Sequence, residues 1–195
     1  MSKFDHFNLI SPIYDLVFGR GDAKKIVGLT DLRKDHVLLD VGGGTGRVTV
    51  RFKMICNNLL VVDSAMNMLR KAREKRIRAI CAQSERLPFR DRKFDRIIMV
   101  DTLHHVRDQQ QTLNEMWRLL APGGKLIIEE PDIHHFAVKL IALGEKLLLM
   151  RSHFLTHQKI LEMCQFSKEA TVDFLRENGI AWIIITRQIP RKIME

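Results

Sequence analysis

The sequence predicts a single α/β domain, a mostly parallel sheet with helices on both faces. Three observations predict it. Residues 37–48, VLLDVGGGTGRV, form a short apolar run that meets an acid and then breaks into glycine, as a buried parallel strand before a tight turn does. Residues 59–63, LLVVD, repeat the apolar run ending in an acid. LAPGGKLII, over 120–128, joins a helix stop to another apolar strand.

Composition narrows the class. A chain of 195 residues suits one domain with a sizeable core. Hydrophobic content of 46% and a mean hydropathy of −0.10 are those of a soluble globular protein. No apolar run reaches the length of a membrane span, and the first residues lack the continuous apolar core of a signal peptide. Cys56, Cys81 and Cys164 are odd in number and far apart, with no C-x-x-C. Neither a disulfide framework nor a zinc site is expected, and a cytoplasmic location is. The net charge of +9 permits an anionic partner, although charge speaks to association more than to chemistry.

The first strand ends in Asp40 and Val41 and runs into Gly42, Gly43, Gly44, Thr45 and Gly46. Without Cβ atoms this backbone turns sharply and comes close to a ligand. A helix expected over 48–56 turns its free N–H groups toward the same place. The result is a strand–loop–helix nucleotide site. The dinucleotide fingerprint needs glycine where Arg47 stands; here the spacing is G-x-G-x-G, with Asp40 two residues ahead. This loop resembles motif I of the class I S-adenosylmethionine-dependent methyltransferases. The resemblance implies S-adenosylmethionine as cofactor and S-adenosylhomocysteine as product. An acid at the strand end suits a ligand with an ammonium and a sulfonium and no pyrophosphate.

Downstream segments agree. Asp63 lies about 20 residues past Gly42, where a carboxylate accepts hydrogen bonds from both ribose hydroxyls. Ser64 to Leu69 approximates the family's D-x-S-x-x-M-L with Ala65 in place of serine; Met68 fits, beside the adenosine or as a core residue. A third strand over 77–82 leads to Gln83, Ser84 and LPF at 87–89. This is similar to the family's D-A-E-x-L-P-F, whose first acid binds the adenine amine; Gln83 keeps an acceptor there without the charge. After a fourth strand over 94–101, Asp101 or the Leu103 backbone is expected to face the methionine end of the cofactor. His104 and His105 follow, similar to the family's H-H-V, and read either as substrate contacts or a general base, or as packing groups. Adjacent histidines point apart, so no metal is expected. A helix over 109–120 and the L-x-P-G-G turn precede a fifth strand starting at 126–128, and Glu129, Glu130 and Asp132 close it at the pocket rim.

Both flanks are read as helical. Residues 1–30 form a cap, with short helices broken at Pro12 and a further helix over 22–29. Phe4, Asp5, Tyr14 and Asp15 are similar to the leader of the ubiquinone/menaquinone-biosynthesis methyltransferases, which folds over the cofactor pocket; the alternative is a helix that covers one sheet face. Residues 133–166 form a helical lid insertion that carries His134, His135, His153 and His157. A helix over 168–177, capped by Ser167 and ended by Asn178 and Gly179, leads to a sixth strand over 180–186. Only residues 187–195 then remain, so a seventh strand is expected to be short or missing, with a second copy of the chain covering the open edge.

The implied architecture is Rossmann-like and doubly wound, with strand order 3-2-1-4-5 plus a C-terminal strand. The implied cofactor set is Asp40, Gly42, Gly43, Gly44, Gly46, Asp63, Ser64, Met68, Gln83, Ser84 and Asp101. His104, then Tyr14 or His134, are the candidate bases. The leading reading is methyl transfer to a small-molecule acceptor. RNA or protein methylation is the rival prompted by charge, and a cofactor-binding homologue without activity is the third. The basic helix over 66–76 lacks aromatics for base stacking and reads as a solvated face.

Overall fold

The structure is a computed structural model that describes residues 23–132, 155–164, 166 and 168–190. Among these, seven strands form one sheet in the order β3-β2-β1-β4-β5-β7-β6. They are β1 (Leu38–Val41), β2 (Leu59–Asp63), β3 (Arg78–Cys81), β4 (Phe94–Val100), β5 (Leu120–Pro131), β6 (Ala170–Glu177) and β7 (Ile180–Arg187). The first five run parallel; β7 is antiparallel to both β5 and β6. The helices are α1 (Ala23–Thr30), α2 (Met66–Glu74), α3 (Gln109–Leu119) and α4 (His157–Met163). The cap expected over 1–22 and the lid expected over 133–154 lie outside the described residues.

Strand alternation sorts the core into two layers. Leu39, Val41, Ile97, Met99, Leu126 and Ile128 face α3 and α4. Their neighbours Leu38, Ile98 and Ile127 face α1 and Phe52 on the other side. Arg96 ties α1 to the sheet: buried at 3% exposure, it donates to the carbonyls of Thr30 and Asp31. The 87–92 turn is held in the same manner. Glu115 accepts from the Leu87 N–H at 2.6 Å, and Arg118 bridges Glu115, Asp91 and the Phe89 carbonyl.

Three expectations need correction. The seventh strand is present: residues 168–177 hold strand β6 rather than a helix, and β7 is an eight-residue strand. Asn178 and Gly179 both have positive φ, 51° and 78°. They join Glu177 to its partner Ile180 as a two-residue hairpin loop, where the sequence reading took the pair for a helix stop. With β7 between β5 and β6, the chain fills the sheet position for which a second copy was invoked. The helix after the glycine loop is a single 3-10 turn, Thr49–Phe52. The β-branched run Val48, Thr49, Val50 disfavours a longer helix, and Thr49 gives its hydroxyl to Asp40 instead.

The third correction concerns the LAPGG segment, which lies inside β5. Phe94 pairs with Leu120 and Arg96 with Lys125, so Ala121–Gly124 bulges out of the ladder. A Cβ on Gly124 would sit 2.7 Å from the Ala121 carbonyl and 3.0 Å from that of Asp95. These are backbone atoms with no room to yield. Gly124→Ala is therefore expected to lose about 1–3 kcal/mol in urea denaturation. Gly28→Ala, whose Cβ would meet nothing within 4 Å in α1, is expected to gain about 0.5–1 kcal/mol.

Candidate active site

The loops that leave the carboxyl ends of β1, β2 and β4 converge, as ligand-binding crevices in open parallel sheets do. The glycine loop is held against all of them. Gly42 and Gly43 both donate to the Val62 carbonyl of β2. Gly42 has φ +70°, and a Cβ there would overlap the Thr102 side chain at 2.1 Å, just past β4. A Cβ on Gly43 would strike the Asp40 carboxylate at 2.5 Å, and one on Gly46 would strike Ile77 at 2.8 Å. At Gly44 the nearest group would be Asp63 Oδ2 at 3.7 Å, so that stretch of backbone faces open space.

Asp63 stands at this opening. Its Oδ2 accepts from the Gly44 N–H at 2.9 Å and its Oδ1 from the Ala65 N–H at 2.7 Å. Two of about four lone-pair sites are thereby used, and the orientation of the carboxylate is fixed. Ala65 is the N-cap of α2 without a side-chain cap bond, and Asp63 satisfies the Ala65 N–H itself.

Asp40 points the other way. It is 1% exposed and accepts from the Thr49 hydroxyl, lying under the loop rather than on its open side. Burial, opposed by Thr49, pushes its pKa up to about 7.

Past β4 the backbone turns at Asp101, a non-glycine residue at φ +54°, whose N–H reaches the Glu129 carbonyl. Glu130 then holds the next turn. Its Oε1 accepts from the N–H groups of Thr102 at 3.0 Å and Leu103 at 2.7 Å, and its Oε2 lies 2.5 Å from His104 Nδ1. His104 is 1% exposed, with Nε2 3.9 Å from Asp101 Oδ1. The His105 ring lies against it, centroids 3.9 Å apart and planes tilted by 46°, so the adjacent histidines do not point apart as expected; burial, reinforced by His104, brings the His105 pKa down to about 4. On the opposite sheet face Glu129 accepts from the Trp182 indole, and burial raises its pKa.

Comparison with known proteins places this arrangement. The family of methyltransferase domains matches over 39–128. The ubiquinone/menaquinone biosynthesis C-methyltransferase UbiE of Pasteurella multocida is 34% identical over 142 residues, 64% of this chain and 53% of that protein. UbiE of Pseudoalteromonas translucida is 31% identical over 144 residues, 65% of this chain and 57% of its own. The chain thus spans about half the length of the curated relatives it matches. In fold it resembles a SAM-dependent methyltransferase of Thermotoga maritima, with TM-score 0.74, 22% identity and coverage of 95% and 98%. It also resembles the cyclase SpnF, with TM-score 0.72, 16% identity and 95% of each chain covered.

Within the methyltransferase domain, Asp40, Gly42, Gly43, Gly44, Gly46, Asp63, Ser64 and Asp101 lie at the ends of β1, β2 and β4. Gln83 is exposed just past β3, and its neighbour Ala82 is bonded to the Asp63 carbonyl. Ser84 turns inward, its hydroxyl 3.1 Å from that of Thr112 on α3. Met68 is half-buried on α2. Tyr14 and His134 lie outside the described residues. His157, paired in sequence with His153, stacks on Phe174 at 4.7 Å.

Two side chains that hold these turns stood outside the expected site set, Glu130 having been read only as part of an acidic rim. Thr49 carried no signal beyond its place after the glycine loop. Glu130 did: it shares strand parity with Leu126 and Ile128, so it had to face α3 and the turn after β4.

A carboxyl whose folded pKa exceeds its unfolded value binds more protons when folded, so its contribution falls as pH rises between the two. Asp40 should therefore lower the stability of the ligand-free domain as pH climbs from about 4 to about 7. His105, with its lowered pKa, acts in the opposite sense. Urea melts of Asp40→Asn beside the parent chain cancel the histidine contribution. The variant is expected to gain on the parent steadily across that interval.

Proposed function

We propose that the chain transfers a methyl group from S-adenosylmethionine to a small-molecule acceptor. The observation that carries this is the Asp63 carboxylate, fixed by Gly44 and Ala65 beside the open side of the glycine loop. A carboxylate so placed, with lone pairs to spare, fits a ribose diol, and Gln83 next to it suits an adenine amine. When bound, the cofactor supplies a methyl group on an electron-poor sulfonium. The protein's work is to align donor with acceptor and to exclude water.

The carboxylates of Asp63 and Asp101 lie at and just past the ends of β2 and β4, where they favour a cationic ligand. The proton acceptor is assigned to His104, then Tyr14 or His134. The UbiE relatives are C-methyltransferases of ubiquinone/menaquinone biosynthesis, which favours an electron-rich aromatic ring as acceptor. The free cysteines Cys56, Cys81 and Cys164 suit a cytoplasmic setting.

A second reading is favoured by one observation. Nine of the 32 basic residues but two of the 23 acidic ones fall within 47–78, and all but Lys75 of those nine are exposed. An RNA acceptor would engage them through phosphates. Binding that weakens steeply with salt would support it. Phe52, the aromatic residue of that segment, is fully buried, so base stacking there is absent and the small-molecule reading stands first.

Calorimetric titration with S-adenosylmethionine tests the proposal. The parent chain is expected to bind, and Asp63→Ala to bind about 10–100-fold more weakly through loss of charge-assisted hydrogen bonds. No binding by a folded parent chain would overturn it.

A further inference from the structure

We infer that Glu130 is a positioning residue for His104: its carboxylate holds the imidazole proton on Nδ1 and leaves Nε2 as the nitrogen that gains a proton in turnover. The inference deepens the methyl-transfer reading and rests on it only for where the proton comes from.

The geometry assigns each oxygen of Glu130 a task. Oε1 is occupied by the N–H groups of Thr102 and Leu103, so the carboxylate is pinned in rotation. Oε2 then meets His104 Nδ1 at 2.5 Å. A carboxylate only accepts, so Nδ1 is the donor. Glu130 is 6% exposed, and in so dry a place a charge-assisted bond sets the tautomer firmly.

The other ring nitrogen faces a second carboxylate. Nε2 lies 3.9 Å from Asp101 Oδ1, beyond hydrogen-bond reach. Asp101 is kept there by a left-handed backbone whose N–H is tied to Glu129. The third neighbour, His105, stays uncharged near neutrality because burial depresses its pKa to about 4, so it does not oppose a charge on His104.

In the reaction, the methyl carbon–sulfur bond breaks with its electron pair remaining on sulfur, and the acceptor atom supplies the pair for the new bond. The acceptor's proton passes to His104 Nε2. The resulting imidazolium sits between Glu130 and Asp101.

The test is Glu130→Gln. The amide oxygen still accepts from Thr102 and Leu103, but its NH2 donates to Nδ1 and forces the proton onto Nε2. Nitrogen-15 NMR of histidine-labelled, ligand-free protein, assigned with His104→Gln, reads the tautomer directly. Above the imidazole's titration the parent chain should show a protonated Nδ1 and a bare Nε2, and the variant the reverse. Transfer of labelled methyl from S-adenosylmethionine to 1,4-dihydroxynaphthalene should fall by about 100-fold or more in the variant, with cofactor affinity unchanged within about twofold.

A parent chain protonated on Nε2 alone overturns the inference, and needs no folded variant to do so. An unchanged tautomer in the variant overturns it as well, as does a reversed tautomer with full transfer rate. A parent chain with the expected tautomer that leaves the diol unmethylated counts against the aromatic acceptor and supports the pairing.

Discussion

The site depends on backbone lying directly on side chains. The glycine loop touches Thr102, Asp40 and Ile77 at distances that leave no space for a single added carbon, and it hangs from the Val62 carbonyl by two N–H groups. These contacts couple the turn after β1 to β2, to the turn after β4 and to the start of β3. Thr102 is in turn held by Glu130 from β5. The opening beside Gly44 and Asp63 is thus framed by four strands whose ends cannot shift independently. This rigidity suits a site whose chemistry consists mainly of alignment.

Most of this frame was legible in the sequence, for an identifiable reason. Strands β1, β2 and β4 are buried on both faces, so their apolar runs are unbroken, and the residues that interrupt them, Asp40 and Asp63, stand out. Legibility failed where one physical signal admits two structures. Asn178 and Gly179 take positive φ equally well as a helix stop or as a hairpin loop. The tie was broken by the alternating exposure of Thr171, Val172, Asp173 and Phe174 on the edge strand, which the leucine-and-charge composition of the segment obscured. The LAPGG segment failed for another reason: Gly123 and Gly124 read as a stop, whereas the chain needs them to bulge within a continuing strand.

The fold constrains the ligand more tightly than the reaction. SpnF, described as a cyclase, shares this architecture over 95% of each chain, so the sheet and the glycine loop by themselves name no bond to be made. What separates one chemistry from another is the set of groups past β4 and β5. Here that set is Asp101, His104, His105, Glu129 and Glu130, with Glu130 on the side of His104 and Glu129 sent by strand parity to the other, against Trp182.

The hairpin also bears on how the molecule comes together during synthesis. Strand β7, near the C-terminus, is an interior strand, flanked by β5 on one side and β6 on the other. On a growing chain, β5 presents a bare hydrogen-bonding edge until Ile180–Arg187 has emerged, and β6 has nothing to pair with before then. The first five strands can assemble from their local parallel crossovers, but the sheet is sealed only once Ile180–Arg187 has emerged. Until that moment the nascent protein carries an apolar, unpaired edge of the kind that chaperones cover.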